Sequence, residues 1–174
     1  MSGPPGRLQD GVIVRDAQPS ELPVIGDLRV NAYAAGDFLS DGSHYTETLR
    51  GLGGDGDNPV LAAVDSGQIL GTVMLQVWPD ASHMVRGPDE AEIRALAVAP
   101  GAQGRGVGRA LLQAVIDRAA ARGVRRLMLC TQPEMFAAQH LYEAAGFRRI
   151  PEHDWYPVPG FLLLAYAREL PAGR

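Results

Sequence analysis

The chain has 174 residues and a formal net charge of −4, with 46% hydrophobic and 21% charged residues. We therefore expect a single globular domain over residues 11–170, preceded by a flexible segment, residues 1–10. No apolar run reaches the roughly eighteen residues of a membrane span, and the acidic balance disfavours nucleic acid as a partner. Met1–Gly6 does not resemble a secretion signal, and the single cysteine, Cys130, excludes an internal disulfide. Both observations favour a cytoplasmic location.

The first half of the chain predicts a strand and two helices, followed by a β-hairpin. The hairpin turn lies at Asp65–Gln68, between two apolar strands. The glycines and aspartates of Gly51–Asn58 indicate a loop. The predicted elements are a strand at Val12–Arg15, helices at Ser20–Ala35 and Tyr45–Leu52, and strands at Val60–Val64 and Ile69–Val77.

The second half alternates strands and helices and predicts a mixed sheet. A polar loop, Pro79–Asp89, precedes an apolar central strand that ends near Val98. Glycines at positions 123 and 146 are suited to ending the two helices that follow. The predicted elements are helices at Val107–Arg122 and Pro133–Ala145, strands at Arg126–Cys130, Phe147–Ile150 and Phe161–Ala167, and a link at Pro151–Gly160.

A glycine-rich turn, Gln103–Gly108, connects the central strand to the next helix. Gly104, Gly106 and Gly108 let the backbone turn tightly and face a ligand, and the helix directs its first N–H groups into the turn. These features predict an anion site, for which phosphate is the usual ligand. Arg109 stands where a dinucleotide-binding motif would place its third glycine, and the chain lacks the Gly-Lys-Ser or Gly-Lys-Thr of a P-loop.

The turn resembles the Q/R-x-x-G-x-G/A pyrophosphate loop of the GCN5-related N-acetyltransferases, the GNAT superfamily. Ala91–Pro100 is similar to the family's central strand, which pairs with the pantetheine arm of the cofactor, and Leu141–Phe147 is similar to its L-Y-x-x-x-G-F signature. The resemblance extends over roughly residues 11–168. Met135 departs from it, because many members have asparagine there. The resemblance implies an α/β fold with a mixed, mostly antiparallel central sheet, flanking helices and splayed central strands.

The resemblance also implies acetyl-CoA as the acyl donor, with no metal. The pyrophosphate would lie over the loop and the pantetheine amides along the central strand. Arginines at the helix start would form charge-assisted hydrogen bonds with the phosphates. The alternative is that these arginines bind no ligand and are solvated side chains at the start of the helix. The implied cofactor-binding residues are Leu96, Ala97, Val98, Gln103, Gly104, Arg105, Gly106, Val107, Gly108 and Arg109.

Transfer to an amine requires proton movements, for which the sequence offers two candidates. Glu92 matches the position of the catalytic glutamate in the histone-acetylating branch of the family, and it is the candidate base. Its alternative is a solvent-facing glutamate at a strand edge. Tyr142 is the candidate acid, because a phenol donates a hydrogen bond to a leaving sulfur without ionising at neutral pH. Its alternative is an aromatic wedge between helix and sheet.

Other reactive residues have less specific roles. Cys130 ends an apolar strand and is expected to be a buried, inert thiol. The four histidines lack metal-ligand spacing. His44 with Tyr45, and the segment His153–Tyr156, are expected to border the acceptor pocket. Trp155 and Tyr156 in that segment are equally suited to covering the core or to a homodimer contact.

Two classes of function stay open. The first is acetyl transfer from acetyl-CoA to a primary amine of a small molecule or peptide, by direct attack in a ternary complex. The second is a GNAT-shaped module that binds CoA or a partner without turnover. The loop, together with Glu92 and Tyr142, favours the enzyme. A Rossmann-type nucleotide binder fits less well, because Arg109 replaces the required glycine and the early strands form a hairpin.

Overall fold

The structure is a computed structural model that describes residues 11–39, 45–80 and 83–172. The predicted flexible segment, residues 1–10, lies outside the described residues, and so does His44. The expectation of a single domain over residues 11–170 stays a prediction.

The described residues form eight strands and four α-helices, with short 3-10 helices at Pro19–Glu21, Pro100–Ala102 and Pro151–His153. The helices are α1 (Leu22–Ala35), α2 (Tyr45–Gly51), α3 (Val107–Ala121) and α4 (Phe136–Ala144). The strands are β1 (Ile13–Asp16), β2 (Val60–Asp65), β3 (Gln68–Val77), β4 (Glu90–Val98), β5 (Arg126–Thr131), β6 (Arg148–Arg149), β7 (Trp155–Val158) and β8 (Phe161–Glu169).

The strand order is β1-β2-β3-β4-β5-β8-β6, and β7 pairs with β8. The pairs β1–β2, β2–β3, β5–β8, β6–β8 and β7–β8 are antiparallel, whereas β4–β5 is parallel. The predicted fold class, a mixed and mostly antiparallel sheet with helices, is therefore confirmed.

Residues 11–39, 45–74 and 95–115 form one compact unit. Its core includes Ile25, Val60, Ala62 and Met74. Gly71 on β3 lets α3 approach closely, because a Cβ there would lie 3.0 Å from Val107 Cγ1 and 2.9 Å from the Ala97 carbonyl oxygen. This close packing fixes where the first turn of α3 begins.

Residues 75–80, 83–94 and 116–172 form a second compact unit. Met84, Met128, Ala165 and Ala167 form a buried cluster within it. On α4, the ring of Tyr142 contacts two other aromatic rings of this unit.

Two predicted helices begin later than expected. Pro19–Glu21 forms a 3-10 turn, so α1 begins at Leu22, and the Glu21 carboxylate accepts a hydrogen bond from the Gln18 N–H at 2.8 Å. Helix α4 begins at Phe136, because the side-chain amide of Gln139 donates to the carbonyls of residues 132 and 133 and holds the preceding turn.

The segment predicted as a link, Pro151–Gly160, contains strand β7, which the prediction missed. Trp155 pairs with Leu163, and Val158 with Phe161. Pro157 cannot donate a ladder hydrogen bond, which is tolerated in a strand at an edge. The prolines therefore indicated a loop where the chain forms an irregular edge strand.

Candidate active site

The glycine turn has the backbone geometry that the sequence predicts. Gly104 and Gly106 have φ values of +81° and +78°, in the left-handed region that L side chains rarely adopt. A Cβ added at either residue would meet no atom within 4 Å, so the space over the turn is open. The Ala110 N–H donates to the Gly106 carbonyl at 3.1 Å and starts the hydrogen-bond series of α3. The N–H groups of the first turn are thus available to an anion.

The two arginines of the turn differ in their surroundings. Arg105 donates to Asp65 on β2 at 3.0 Å, and this hydrogen bond lowers the pKa of the Asp65 carboxyl. Arg109 is exposed, and none of the described residues forms an ion pair with it. The guanidinium of Arg109 is thus exposed, whereas that of Arg105 already has a carboxylate partner.

The residues implied for the cofactor lie in two segments of the first unit. Leu96, Ala97 and Val98 lie on β4, whose backbone has a positive φ of 54° at Ala95. The loop residues Gln103–Gly106 are exposed, whereas the Val107 side chain is buried and anchors the helix start. Open glycine backbone, a helix start and an exposed arginine together fit a pyrophosphate.

Within the second unit, the central strands separate as expected. The parallel pairing of β4 with β5 runs from Glu90 to Ile93 on β4 and ends at Leu129 on β5. Strand β5 continues along β8 as far as Thr131. This is the splay that the fold prediction includes.

Glu92 lies on β4 opposite Met128 of β5, and it is 8% exposed. The pKa of the Cys130 thiol is raised to about 12, first by burial and second by the negative charge of Glu92. The predicted base is therefore a buried carboxylate rather than the solvent-facing alternative.

Tyr142 lies on α4 and is 7% exposed. Its ring packs edge-on against Phe147, with a centroid distance of 6.2 Å, and is tilted against Tyr166 at 6.3 Å. These contacts make the ring part of the core, so a catalytic role would rest on its hydroxyl alone.

Cys130 is half-buried, whereas the sequence predicts a buried thiol. Its sulfur lies 3.2 Å from Met84 Sδ, and a pKa of about 12 keeps it protonated at neutral pH. The described residues contain no group of three or more histidine, cysteine, aspartate or glutamate side chains that could hold a metal ion.

The segment expected near the acceptor contains an aromatic pair. The His83 and Trp155 rings stack with a centroid distance of 3.9 Å and an interplanar angle of 9°. Asp154 anchors the segment, because it accepts two hydrogen bonds from Arg149 at 2.6 Å and one from the Ala165 N–H at 2.7 Å. Tyr156 is exposed.

The sequence prediction missed Arg94. This arginine lies on β4 two residues after Glu92, and its Nη1 donates to Gln76 Oε1 on β3 at 3.2 Å. Because side chains two apart on a strand share a face, the spacing Glu-x-Arg was a signal that the two charges lie side by side.

Comparison with known proteins decides the family. The family model described as "Acetyltransferase (GNAT) family" matches residues 29–147. The chain belongs to this family. The predicted family is thus confirmed. No helix in the described part of the chain is long and apolar enough to cross a membrane.

The relatives of this GNAT protein include two proteins named mycothiol acetyltransferase. It is 37% identical to the mycothiol acetyltransferase of Beutenbergia cavernae over 137 residues, which are 76% of this chain and 43% of that protein. The chain therefore spans less than half the length of this relative. It also spans 47% of the length of the mycothiol acetyltransferase of Cellulomonas flavigena.

Solved structures show the same fold. A GCN5-related N-acetyltransferase from Kribbella flavida is 29% identical with a TM-score of 0.71, covering 92% of this chain and 98% of its own. The yncA protein of Salmonella typhimurium, solved with its cofactor acetyl-CoA, has a TM-score of 0.70 and 20% identity, covering 92% and 95% of the two chains.

Proposed function

We propose that this GNAT protein transfers an acetyl group from acetyl-CoA to a primary amine of a small molecule or peptide, by direct attack in a ternary complex. The observation that carries the proposal is the open turn formed by Gly104 and Gly106 at the start of α3. Acetyl-CoA supplies a thioester whose carbonyl carbon is open to attack by an amine.

The loop holds the donor. The N–H groups of residues 104–108 bind the pyrophosphate, and Arg109 adds a charge-assisted hydrogen bond. The backbone of Leu96–Val98 pairs with the pantetheine amides. Strand β4 carries both this segment and Glu92.

Glu92 and Tyr142 move the protons. A protonated amine cannot attack, so Glu92 takes the amine proton directly or through one water, and the nitrogen then bonds to the thioester carbon. As the C–S bond breaks, the electron pair stays on sulfur. The Tyr142 hydroxyl donates a hydrogen bond to that sulfur. The attacking nitrogen loses its second proton as the amide forms, and the thiolate takes up a proton from water to become the CoA thiol.

Release of CoA thiol in the presence of a pooled amine panel tests the proposal. Tyr142→Phe keeps the ring packing and deletes the hydroxyl, so kcat should fall by up to about 10²–10⁴-fold while the fold survives. Glu92→Gln should slow the reaction most at low pH, where free amine is scarce, and leave acetyl-CoA affinity unchanged.

Two outcomes would contradict this assignment of roles. An unchanged kcat for Tyr142→Phe would make Tyr142 a structural residue. A wild-type pH–rate profile for Glu92→Gln would show that the proton leaves by another route. Acetyl-CoA binding without thiol release from any amine would favour the non-catalytic module instead.

A further inference from the structure

Arg94 is a half-buried cation without a carboxylate partner. Within the described part of the chain its one hydrogen bond runs from Nη1 to Gln76 Oε1, a neutral acceptor, at 3.2 Å. None of the described carboxylates lies within ion-pair distance of it. By contrast, Arg149 in the same unit is matched by two hydrogen bonds to Asp154. Burying a charge is costly unless it is paired, so an arginine left in this state is a candidate binding group.

The other donors of Arg94 are accessible. A guanidinium has five N–H donors in a planar fork, and Gln76 uses one of them. No nitrogen of Arg94 is among the fully buried polar atoms that lack a partner in the described residues. The remaining N–H groups of this half-buried residue are therefore partly exposed to solvent, and the hydrogen bond to Gln76 orients the guanidinium.

Arg94 shares its surroundings with the proposed base. Glu92 lies two positions earlier on β4, so both side chains are on the same face and their Cα atoms are about 7 Å apart. Both charges act on Cys130 of β5. The Glu92 carboxylate raises the pKa of that thiol, and the Arg94 guanidinium lowers it in part. A negative and a positive group thus face one small region of the second unit.

We propose that Arg94 binds a carboxylate of the acceptor, so that the substrates are amines that carry a carboxylate, of which α-amino acids are the simplest. This inference rests on the proposed function, since it places the amine at Glu92. The guanidinium fork matches a carboxylate bidentately. With the carboxylate on Arg94, the amino group a few bonds away is directed to the carboxylate of Glu92.

The local charge favours a carboxylate over a phosphate. Glu92 lies two positions from Arg94 on the same face of β4, whereas Asp154 is already matched by two hydrogen bonds from Arg149. Arg94, unlike Arg149, has no ion pair with a carboxylate of the described residues, and one carboxylate of a ligand would neutralise its charge. A dianionic phosphate would leave an excess negative charge beside Glu92.

The test compares acceptors that differ only in the carboxylate. CoA release is measured for alanine against ethylamine and for phenylalanine against phenethylamine, with phosphoethanolamine as the phosphate arm. For wild-type protein we expect a higher kcat/KM with the amino acid of each pair. Arg94→Gln should lower kcat/KM for the amino acids about 10- to 100-fold, the loss expected for hydrogen bonds to a charged group, and leave the plain amines within about twofold. Arg94→Lys should recover part of the loss.

Arg148→Gln is the matched control, since Arg148 is an exposed arginine on β6, and it should change neither class of acceptor. Circular dichroism and acetyl-CoA affinity check that each variant is folded. Equal losses for both members of a pair, or plain amines preferred by the wild type, would overturn the role of Arg94. A preference for phosphoethanolamine that depends on Arg94 would overturn the carboxylate assignment.

A wild-type protein that releases no CoA with any amine would refute the proposed function instead. Ligand-observed NMR with N-acetylalanine and its amide then tests Arg94 by itself. Binding of the carboxylate alone, lost in Arg94→Gln, would support the inference. Absence of binding by either compound would refute it.

Discussion

Replacing Gly106 with alanine isolates the conformation of the loop from its steric contacts. The new Cβ would meet no atom within 4 Å, so no clash is introduced, but φ is +78°. An L residue in the left-handed region costs about 1–2 kcal/mol. In a protein of this length, 1 kcal/mol shifts the melting temperature by about 2–4 °C, so we expect a decrease of about 2–8 °C.

The same strain should appear in donor binding. If the variant loop relaxes out of the left-handed conformation, binding must restore it, and acetyl-CoA affinity measured by calorimetry should fall about 5- to 30-fold. Gly101→Ala is the control, because Gly101 also has open space around its Cβ but lacks a positive φ. Equal affinities and melting temperatures for the two variants would refute the conformational argument.

Two further predictions concern the second unit. Asp154→Asn should lower stability by about 2 kcal/mol at neutral pH, since it weakens charge-assisted hydrogen bonds to Arg149, which hold the pKa of Asp154 below its ordinary value. Because a depressed carboxyl pKa stabilises only above the unfolded-state pKa, this difference should shrink in thermal melts as the pH falls below about 4, and a constant difference would contradict the cause. Cys130, with its pKa raised to about 12 by burial, should resist iodoacetamide at pH 8 in folded protein and react once the chain is unfolded, whereas rapid labelling of folded protein would contradict the burial.

Local chemistry explains which features the sequence predicts well. The turn at Gly104 and Gly106 follows from the residues themselves, because glycine is the residue that adopts positive φ without cost. The start of α3 follows from its apolar spacing. The motif at Tyr142 likewise indicates a helix end, and the structure ends α4 at Ala144.

Contacts between distant residues explain what the sequence does not predict. The ion pair of Arg105 with Asp65 joins residues forty positions apart, so the loop alone indicated an arginine open to phosphate. Strand β7 forms because Trp155 pairs with Leu163 at the edge of β8, whereas the prolines of Pro151–Gly160 indicate a loop. Arg94 donates a hydrogen bond to Gln76, a residue 18 positions away in the sequence that the sheet places beside it.

We propose that this chain transfers acetyl groups from acetyl-CoA to amines through the Gly104–Gly108 loop. The direct measurement is mass spectrometry of an amine panel incubated with the protein and acetyl-CoA that carries an isotopically labelled acetyl group. The account predicts labelled N-acetyl product in step with CoA thiol release, and loss of both in Gly106→Asp, which places a negative charge against the phosphates. Tight acetyl-CoA binding with no labelled product from any amine, or full turnover by Gly106→Asp, would contradict it.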